Sequence, residues 1–373
     1  MALRVLYLHH VAQLSGAENS LLLLLRHLDR RQVTPLFALP SDGPFSEALA
    51  REGIPVLRIP FGPLRDIVGL LKSVRRLLTL IREHRIDLLH ANGPQTNVCA
   101  GIAGRLAGIP AVWHARNLLY GRMWDVDRAL ARLATRIICN SDAIRERFRG
   151  SSAWDKSVTI INAVDTREFH PEQSGEPFRR EMSILDAVAV VGMVGRIGLG
   201  KGHDVFIEAA ILALARGWAA RFVVIGETLF PEDAWRADAL RRRVKDAGCE
   251  DRIQFMGGRR DIPAVMRGLD VLVLASEAEP CGRVLFEAMA SGTAVVATNT
   301  GGTPEIVRDG VEGILIPPQN PEALADALGA VLADPRLRET LGRNGVARVR
   351  AEFTVERHVV RTVEVYGTAL RGA

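Results

Sequence analysis

A chain of 373 residues that is 48% hydrophobic and 24% charged is long enough for one large or two medium domains with their own cores, which excludes a disordered or fibrous polymer. Its 34 Gly and 18 Pro follow no G-x-y period, and no self-similarity at roughly 20 to 50 residues marks a solenoid. The net charge of +5 hides an asymmetry, because residues 1–170 hold 23 Lys/Arg against 15 Asp/Glu and the remainder 25 against 28.

The chain enters an apolar run at residues 4–8 with no charged-then-apolar leader, which predicts a cytoplasmic protein. The longest Leu run, residues 21–25, falls far short of the roughly 18 to 20 apolar residues that cross a bilayer. Short apolar runs at residues 5–9, 34–39, 56–59, 88–90, 111–114, 136–140 and 158–161 read as buried strands. Helix-length stretches at 18–28, 45–52, 65–84 and 96–107 lie between several of them, so a parallel sheet with crossover helices is the simplest topology. The polar, Pro/Gly-containing stretch 170–177 reads as an inter-domain linker. Further strand-like runs at 187–193, 221–225, 252–256, 271–275, 293–298 and 313–316 then build a second unit. The expected fold class is α/β, with Rossmann-like domains over 1–170 and 187–353, a linker over 171–186, and a final segment over 354–373. Ligands in such sheets collect at the carboxyl ends of the strands, so the loops there are where chemistry is sought.

Cys99, Cys139, Cys249 and Cys281 are scattered, with no C-x-x-C pair and no His/Cys cluster, which predicts free thiols and no structural metal. Gly16, in the loop after residues 5–9, would let backbone N–H groups approach an anion, although a tight turn is the simpler explanation. The loop after 187–193 reads Gly195-Arg196-Ile197-Gly198-Leu199-Gly200-Lys201-Gly202-His203. It fits neither the dinucleotide fingerprint nor the P-loop, since His203 stands where Ser or Thr would hold magnesium. What remains is Arg196 and Lys201 on a Gly-rich loop, suited to clamping a diphosphate or else simply solvated.

Residues 276–290 carry the strongest signal. Pro280 and Gly282 set a helix start near Gly282, where the amides of Cys281, Gly282, Arg283, Val284 and Leu285 would form an anion cradle. Glu279 then lies beside the ligand. Glu287 is a lone carboxylate in an apolar run, and a buried carboxylate needs a donor, either a ligand's vicinal hydroxyls or a neighbouring Arg or backbone N–H. The segment Thr300-Gly301-Gly302-Thr303-Pro304-Glu305 opens another helix, as a capped turn or as a source of further backbone donors.

Together, Glu279-Pro280-Cys281-Gly282 through Glu287-Ala288-Met289-Ala290 and Gly301-Gly302-Thr303-Pro304-Glu305 resemble the retaining GT-B glycosyltransferases of family 4, the glycosyl transferases group 1. Val194-Gly195-Arg196, Lys201-Gly202, Asn162-Ala163-Val164-Asp165 and Ser15-Gly16-Ala17-Glu18 extend the resemblance over nearly the whole chain, strongly after residue 160. It implies a GT-B fold, two Rossmann-like domains facing across an inter-domain cleft, with a C-terminal helix in 354–373 crossing back to the first. It also implies a UDP- or GDP-sugar donor on the second domain, with Arg196 and Lys201 on the diphosphate, Glu287 on the ribose hydroxyls and Glu279 on the donor sugar. Gly16 would approach the diphosphate from the first domain, and His114, at the end of the 111–114 run, would stand near the sugar; a lone His at a strand end is otherwise as readily structural. The implied reaction is transfer with retention of anomeric configuration. No cofactor or metal is expected, because no D-x-D occupies a suitable loop and Arg196 and Lys201 replace the cation. Recognition of the base is expected from backbone around Gly226, Glu227 and the loop after Met256. The sequence departs from the family at Cys281, where an aromatic residue is frequent, and at Arg283, a cation that is either exposed or meets a phosphate or acidic sugar.

The basic first half suggests the acceptor. Residues 64–85 contain six Arg/Lys and two acids around Ile67, Leu70, Leu71, Val74, Leu77, Leu78 and Ile81, the spacing of an amphipathic helix. This is a core-packed helix with a solvated basic face, or one that adsorbs peripherally to anionic lipid and so suits a lipid-linked, cell-envelope or polysaccharide acceptor. Nucleic acid is excluded as a partner by the three Tyr and the absence of any aromatic-interleaved basic strand. The competing functions are another GT-B enzyme, a synthase or nucleotide-sugar epimerase, and a non-catalytic nucleotide-sugar-binding subunit.

Overall fold

A computed structural model describes residues 2–118, 125–183 and 188–372. The chain divides into two compact units, Met1–Asn162 with Val355–Ala373, and Ala163–Thr354. The first contains β1 (Leu3–His9), α1 (Gly16–His27), β2 (Val33–Leu39), α2 (Pro44–Arg51), β3 (Val56–Arg58), α3 (Ile67–Glu83), β4 (Leu88–Asn92), α4 (Pro94–Ala107), β5 (Ala111–Ala115), α5 (Val126–Leu130), β6 (Arg136–Cys139), α6 (Asp142–Arg145) and β7 (Ser157–Thr159). The second contains α7 (Glu176–Glu181), β8 (Ala189–Val194), α8 (His203–Ala215), β9 (Ala220–Ile225), α9 (Ala234–Asp246), β10 (Ile253–Phe255), α10 (Ile262–Gly268), β11 (Val271–Leu274), α11 (Arg283–Ala290), β12 (Ala294–Thr298), α12 (Thr303–Ile306), β13 (Gly313–Ile316), α13 (Pro321–Ala333) and α14 (Pro335–Glu352). The last helix, α15 (Val355–Arg371), belongs to the first unit, where it packs on α1 and β5.

Both sheets are parallel throughout, in the orders β3-β2-β1-β4-β5-β6-β7 and β10-β9-β8-β11-β12-β13. Their central strands are apolar on both faces, as a sheet covered by helices on both sides requires, and Val5, Leu6, Tyr7, Leu8, Val190, Val191 and Leu272 are completely buried. Strand order reverses between β1 and β4 in one sheet and between β8 and β11 in the other. The loops leaving the carboxyl ends of each such pair therefore lie side by side, which is where ligands bind in this class of fold.

Three expectations change. The stretch expected as a linker contributes α7, whose Phe178 is fully buried beneath the Arg259 guanidinium, and Gly175 lies so close to Arg267 that a Cβ would fall 2.4 Å from its carbonyl carbon. The Pro/Gly signal marks this tight docking, so the second unit begins at Ala163. Residues 184–186 of that stretch, and Ala187 where its first strand was expected to start, lie outside the described residues. In α3, Val74, Leu77, Leu80 and Ile81 face the core, but Ile67, Val68 and Leu71 are 66%, 63% and 63% exposed. At 3.6 residues per turn, Val68 and Leu71 stand about 180° and 120° round the helix from Leu77, outside the buried stripe.

Candidate active site

The loop after β8 is drawn down onto the end of β11 by glycine. Gly202 has φ of +77° and a Cβ there would fall 1.9 Å from the Ala275 carbonyl oxygen. The Glu277 N–H donates to the Gly200 carbonyl at 2.9 Å, stitching the two loops. This brings Lys201 to Glu279, with Nζ donating to Oε2 at 2.8 Å while Ser276 Oγ donates to the same oxygen at 3.0 Å. Glu279 is buried, and its carbonyl accepts the Gly302 N–H at 2.9 Å, so the loop after β12 closes on the same point. That loop is a hydrogen-bonded turn, with Thr300 Oγ1 donating to the Glu277 carbonyl at 3.1 Å and Thr303 N–H to the Thr300 carbonyl at 3.1 Å.

Arg196 is held elsewhere. Its Nη1 donates to Asp233 Oδ2 at 2.7 Å, in the turn before α9, and its guanidinium lies over the Phe230 ring. Asp233 also accepts from Arg236 Nε at 3.0 Å. Glu287 lies a turn into α11, and its ion-pair partner is Arg283, four residues earlier, with Nη2 2.6 Å from Oε1. Burial raises the Glu287 pKa, Arg283 opposes the rise and Glu168 adds to it. Arg283 is thus half-buried on Glu287 and not simply solvated. Cys281, Gly282 and Leu285 are buried and Val284 is half-buried, and the Leu285 N–H is already used by the Gly282 carbonyl at 3.1 Å. Gly226 N–H donates to the Gly257 carbonyl at 2.8 Å and Gly258 N–H to Glu227 Oε1 at 2.9 Å, which joins the two segments expected to read a base.

In the first unit, Gly16 is the exposed first residue of α1. Glu18 caps that helix by accepting the Ser15 N–H at 2.9 Å and also accepts from His9 Nε2, at the end of β1, at 2.5 Å. Burial pushes the Glu18 carboxyl up, but the bonds from His9 and Ser15 outweigh it and hold the pKa at about 2. His114, at the end of β5, is fully buried with a pKa well below the usual imidazole value, first from burial and then from Arg116 and His90. His90 Nε2 and Arg116 Nη2 stand 3.2 and 3.1 Å from its Nδ1, whereas Nε2 has no partner among the described residues.

Several of these groups escape sequence reasoning. Ser276, Asp233 and Arg116 are common residues whose roles depend on partners 3, 37 and 2 residues away. Thr303 Oγ1 is fully buried with no partner among the described residues. Both ring nitrogens of His203 are likewise unpartnered, and burial and then Lys201 lower its pKa to about 4. This ring lines a cavity of about 470 Å³ with Gly200, Trp235 and Ala275. The signal for His203 is its place as first residue of α8, just after the Gly-rich loop.

This arrangement can hold an anion beside Lys201 and a polyol beside Glu279. Residues 176–348 match the glycosyl transferases group 1 family and residues 14–168 the glycosyltransferase family 4. The lipopolysaccharide core biosynthesis mannosyltransferase LpsB of Rhizobium meliloti (strain 1021) is 31% identical over 70% of this chain and 80% of its own length. The chain belongs to the group 1 glycosyltransferases. A D-inositol 3-phosphate glycosyltransferase of Actinosynnema mirum is 33% identical over 63% of this chain and 58% of its own. The crystal structure of Anabaena HepE in complex with UDP-glucose superimposes with a TM-score of 0.86 at 27% identity, covering 98% of this chain and 99% of that one. The GT-B fold and glycosyltransferase activity follow, and no helix among the described residues is long and apolar enough to cross a membrane.

Proposed function

We propose that this glycosyltransferase moves a sugar, with retention of anomeric configuration and without a metal, from a nucleoside diphosphate sugar to a lipid-linked, cell-envelope or polysaccharide acceptor. The observation that carries the reading is the Lys201–Glu279 pair at the strand-order reversal of the second sheet, beside the start of α11. Cleaving the anomeric C–O bond leaves negative charge on the diphosphate, which Lys201, Arg196 and the first amides of α11 stabilise as it develops. Glu279 positions the sugar. The departing phosphate oxygen takes the acceptor hydroxyl's proton as the new bond forms on the same face, so no enzymic nucleophile enters. UDP-glucose in HepE and the lipopolysaccharide role of LpsB support the donor and acceptor classes. Thermal unfolding against a panel of nucleotide sugars identifies the donor, since a ligand at 100 times its Kd adds about 2.7 kcal/mol. The stabilising sugar is then incubated with chelator and candidate acceptors, and the product anomer is read by NMR. An inverted product, activity lost to chelator, or binding with no turnover on any acceptor each removes its part of the proposal.

The acceptor reading extends to α3. Its outward face joins Val68 and Leu71 to Lys72, Arg75 and Arg76, with Ile67 in its first turn and Arg65 just before it, all exposed. Apolar insertion beside basic charge suits an anionic bilayer, at about 1 kcal/mol per basic residue. Replacing Lys72, Arg75 and Arg76 by Ala should therefore weaken sedimentation with phosphatidylglycerol vesicles at low salt by about a hundredfold. Unchanged sedimentation would leave the face merely solvated.

A further inference from the structure

The first unit contains a chain of hydrogen bonds between fully buried side chains from three strands and the last helix. Tyr7 and Tyr366 hydroxyls lie 2.9 Å apart, Tyr366 OH is 2.7 Å from His90 Nδ1, and His90 Nε2 is 3.2 Å from His114 Nδ1. Arg116 Nη2 reaches that same His114 nitrogen at 3.1 Å. Arg116 is itself fixed, with Nε donating to Asn92 Oδ1 at 3.1 Å and Nη1 to Asn162 Oδ1 at 3.3 Å.

The protons along this chain have one consistent arrangement. A guanidinium nitrogen only donates, so His114 Nδ1 is the acceptor and carries no proton. Two bare nitrogens facing each other at 3.2 Å would repel, so His90 donates from Nε2. Burial lowers the His90 pKa to about 3, with Arg116 and His358 adding to the effect, which keeps that ring neutral and leaves its Nδ1 to accept from Tyr366. Tyr366 in turn accepts from Tyr7. What emerges is a proton on His114 Nε2, the one nitrogen of these two rings with no partner among the described residues.

We infer that Arg116, His90 and Tyr366 are positioning residues which lock His114 as a neutral imidazole protonated on Nε2, making it a hydrogen-bond donor to a ligand oxygen and not a base. That the ligand is a sugar rests on the glycosyltransferase reading above; the tautomer does not. A donor fixed through its second nitrogen selects a hydroxyl lone pair or a carboxylate oxygen and excludes an ammonium group. Tyr366 makes the last helix a participant in this geometry, 276 residues from His90 in sequence.

The test is heteronuclear NMR of the histidine ring nitrogens in the full-length protein, with His114 assigned by loss of its signals in His114→Gln. Nε2 of His114 should be protonated and Nδ1 bare at neutral pH. The opposite tautomer, or an imidazolium, overturns the inference. Tyr366→Phe keeps the ring but removes the hydroxyl, so the His90 Nδ1 signal should shift as it loses its donor, while His90 Nε2 stays protonated and His114, still held by Arg116, does not change. Unmoved His90 signals would reduce Tyr366 to packing. Arg116→Leu should abolish the single His114 tautomer and Arg116→Gln, which keeps an N–H, should restore it; equal loss in both counts against the assignment. With a donor in hand, His114→Gln should lower kcat less than about tenfold, whereas a lost general base would cost about 10² to 10⁴. If no nucleotide sugar is turned over but the tautomer is as stated, the proposed function fails and this inference stands.

Discussion

Replacing Arg283 by Met isolates the charge at the centre of α11. Glu287 is only 3% exposed, and removing one partner of a buried ion pair costs about 3–5 kcal/mol. The Arg283 side chain is 28% exposed, so solvent already screens part of its attraction and the expected loss is about 2–3 kcal/mol. In a unit of this size that lowers Tm by on the order of 5–10 °C. The pH dependence has a defined sign. A carboxyl whose folded pKa lies above its unfolded value holds its proton more firmly when folded, so it favours folding in acid and penalises it as pH rises through the folded pKa. Arg283→Met pushes that folded pKa further up. The deficit should thus be small near the ordinary carboxyl value of 4.5 and grow as pH rises from there toward neutrality. Glu287→Gln added to Arg283→Met should recover most of it, and Glu287→Gln alone should cost less than about 1 kcal/mol, because the long Arg283 stem reaches water. Thermal unfolding across pH measures all three variants. A deficit that ignores pH, or that Glu287→Gln leaves unrelieved, would mean that Arg283 acts by packing and that the ion pair carries no weight.

Asp233→Asn should release Arg196 and tighten binding of a nucleoside diphosphate, by about twofold to fivefold given the worth of a partly exposed pair; calorimetry showing weaker binding would assign Asp233 a direct role. Gly202→Ala should cost about 1–3 kcal/mol from its φ of +77° alone, and more from collision with Ala275, whereas Gly217→Ala, at φ of +83° with nothing within 4 Å, pays only the backbone part. Thermal unfolding of the two variants compares them, and equal losses would dismiss the contact. Glu18, held at a pKa of about 2, contributes stability that is complete above its unfolded value and disappears as pH falls toward 2, about 3 kcal/mol in all. Acid unfolding followed by circular dichroism should accordingly flatten in Glu18→Gln.

The carboxyl edge of the second sheet is legible in the sequence because its chemistry is local. The run 276–290 contains both the end of a buried strand and the start of a helix, and a carboxylate among apolar residues announces that it needs a donor. Arg283, at i−4 from Glu287, was within reach of that argument as a neighbouring cation. What the sequence conceals is register. His90 meets His114 because β4 pairs with β5 so that Asn92 lies opposite His114, and Tyr7 lies opposite His90 across β1 and β4. Nothing in the local pattern announces those offsets, or that Tyr366 arrives beside them. The apolar stripe of α3 misleads for a related reason: Val68 and Leu71 lie outside the face that Val74, Leu77, Leu80 and Ile81 bury, so apolar character alone does not mark what is covered.

The same contrast bears on how the second unit recognises a charged ligand. Each cation expected on the ligand already has an acid: Lys201 has Glu279, Arg196 has Asp233 and Arg283 has Glu287. A set of unpaired cations would attract any polyphosphate, with an affinity that falls steeply in salt. A set of paired ones makes the anion exchange partners, so the net electrostatic gain is the difference between two pairings and is small. On the proposed function, discrimination would then come from contacts that an inorganic phosphate lacks, namely sugar and ribose hydroxyls offered to Glu279 and Glu287. By this logic pyrophosphate binds poorly, a nucleoside diphosphate better and the sugar conjugate best, with modest salt dependence throughout. Calorimetry of the three ligands at low and high salt tests the ranking, and pyrophosphate binding as tightly as the conjugate would show that the acids do not restrain the cations.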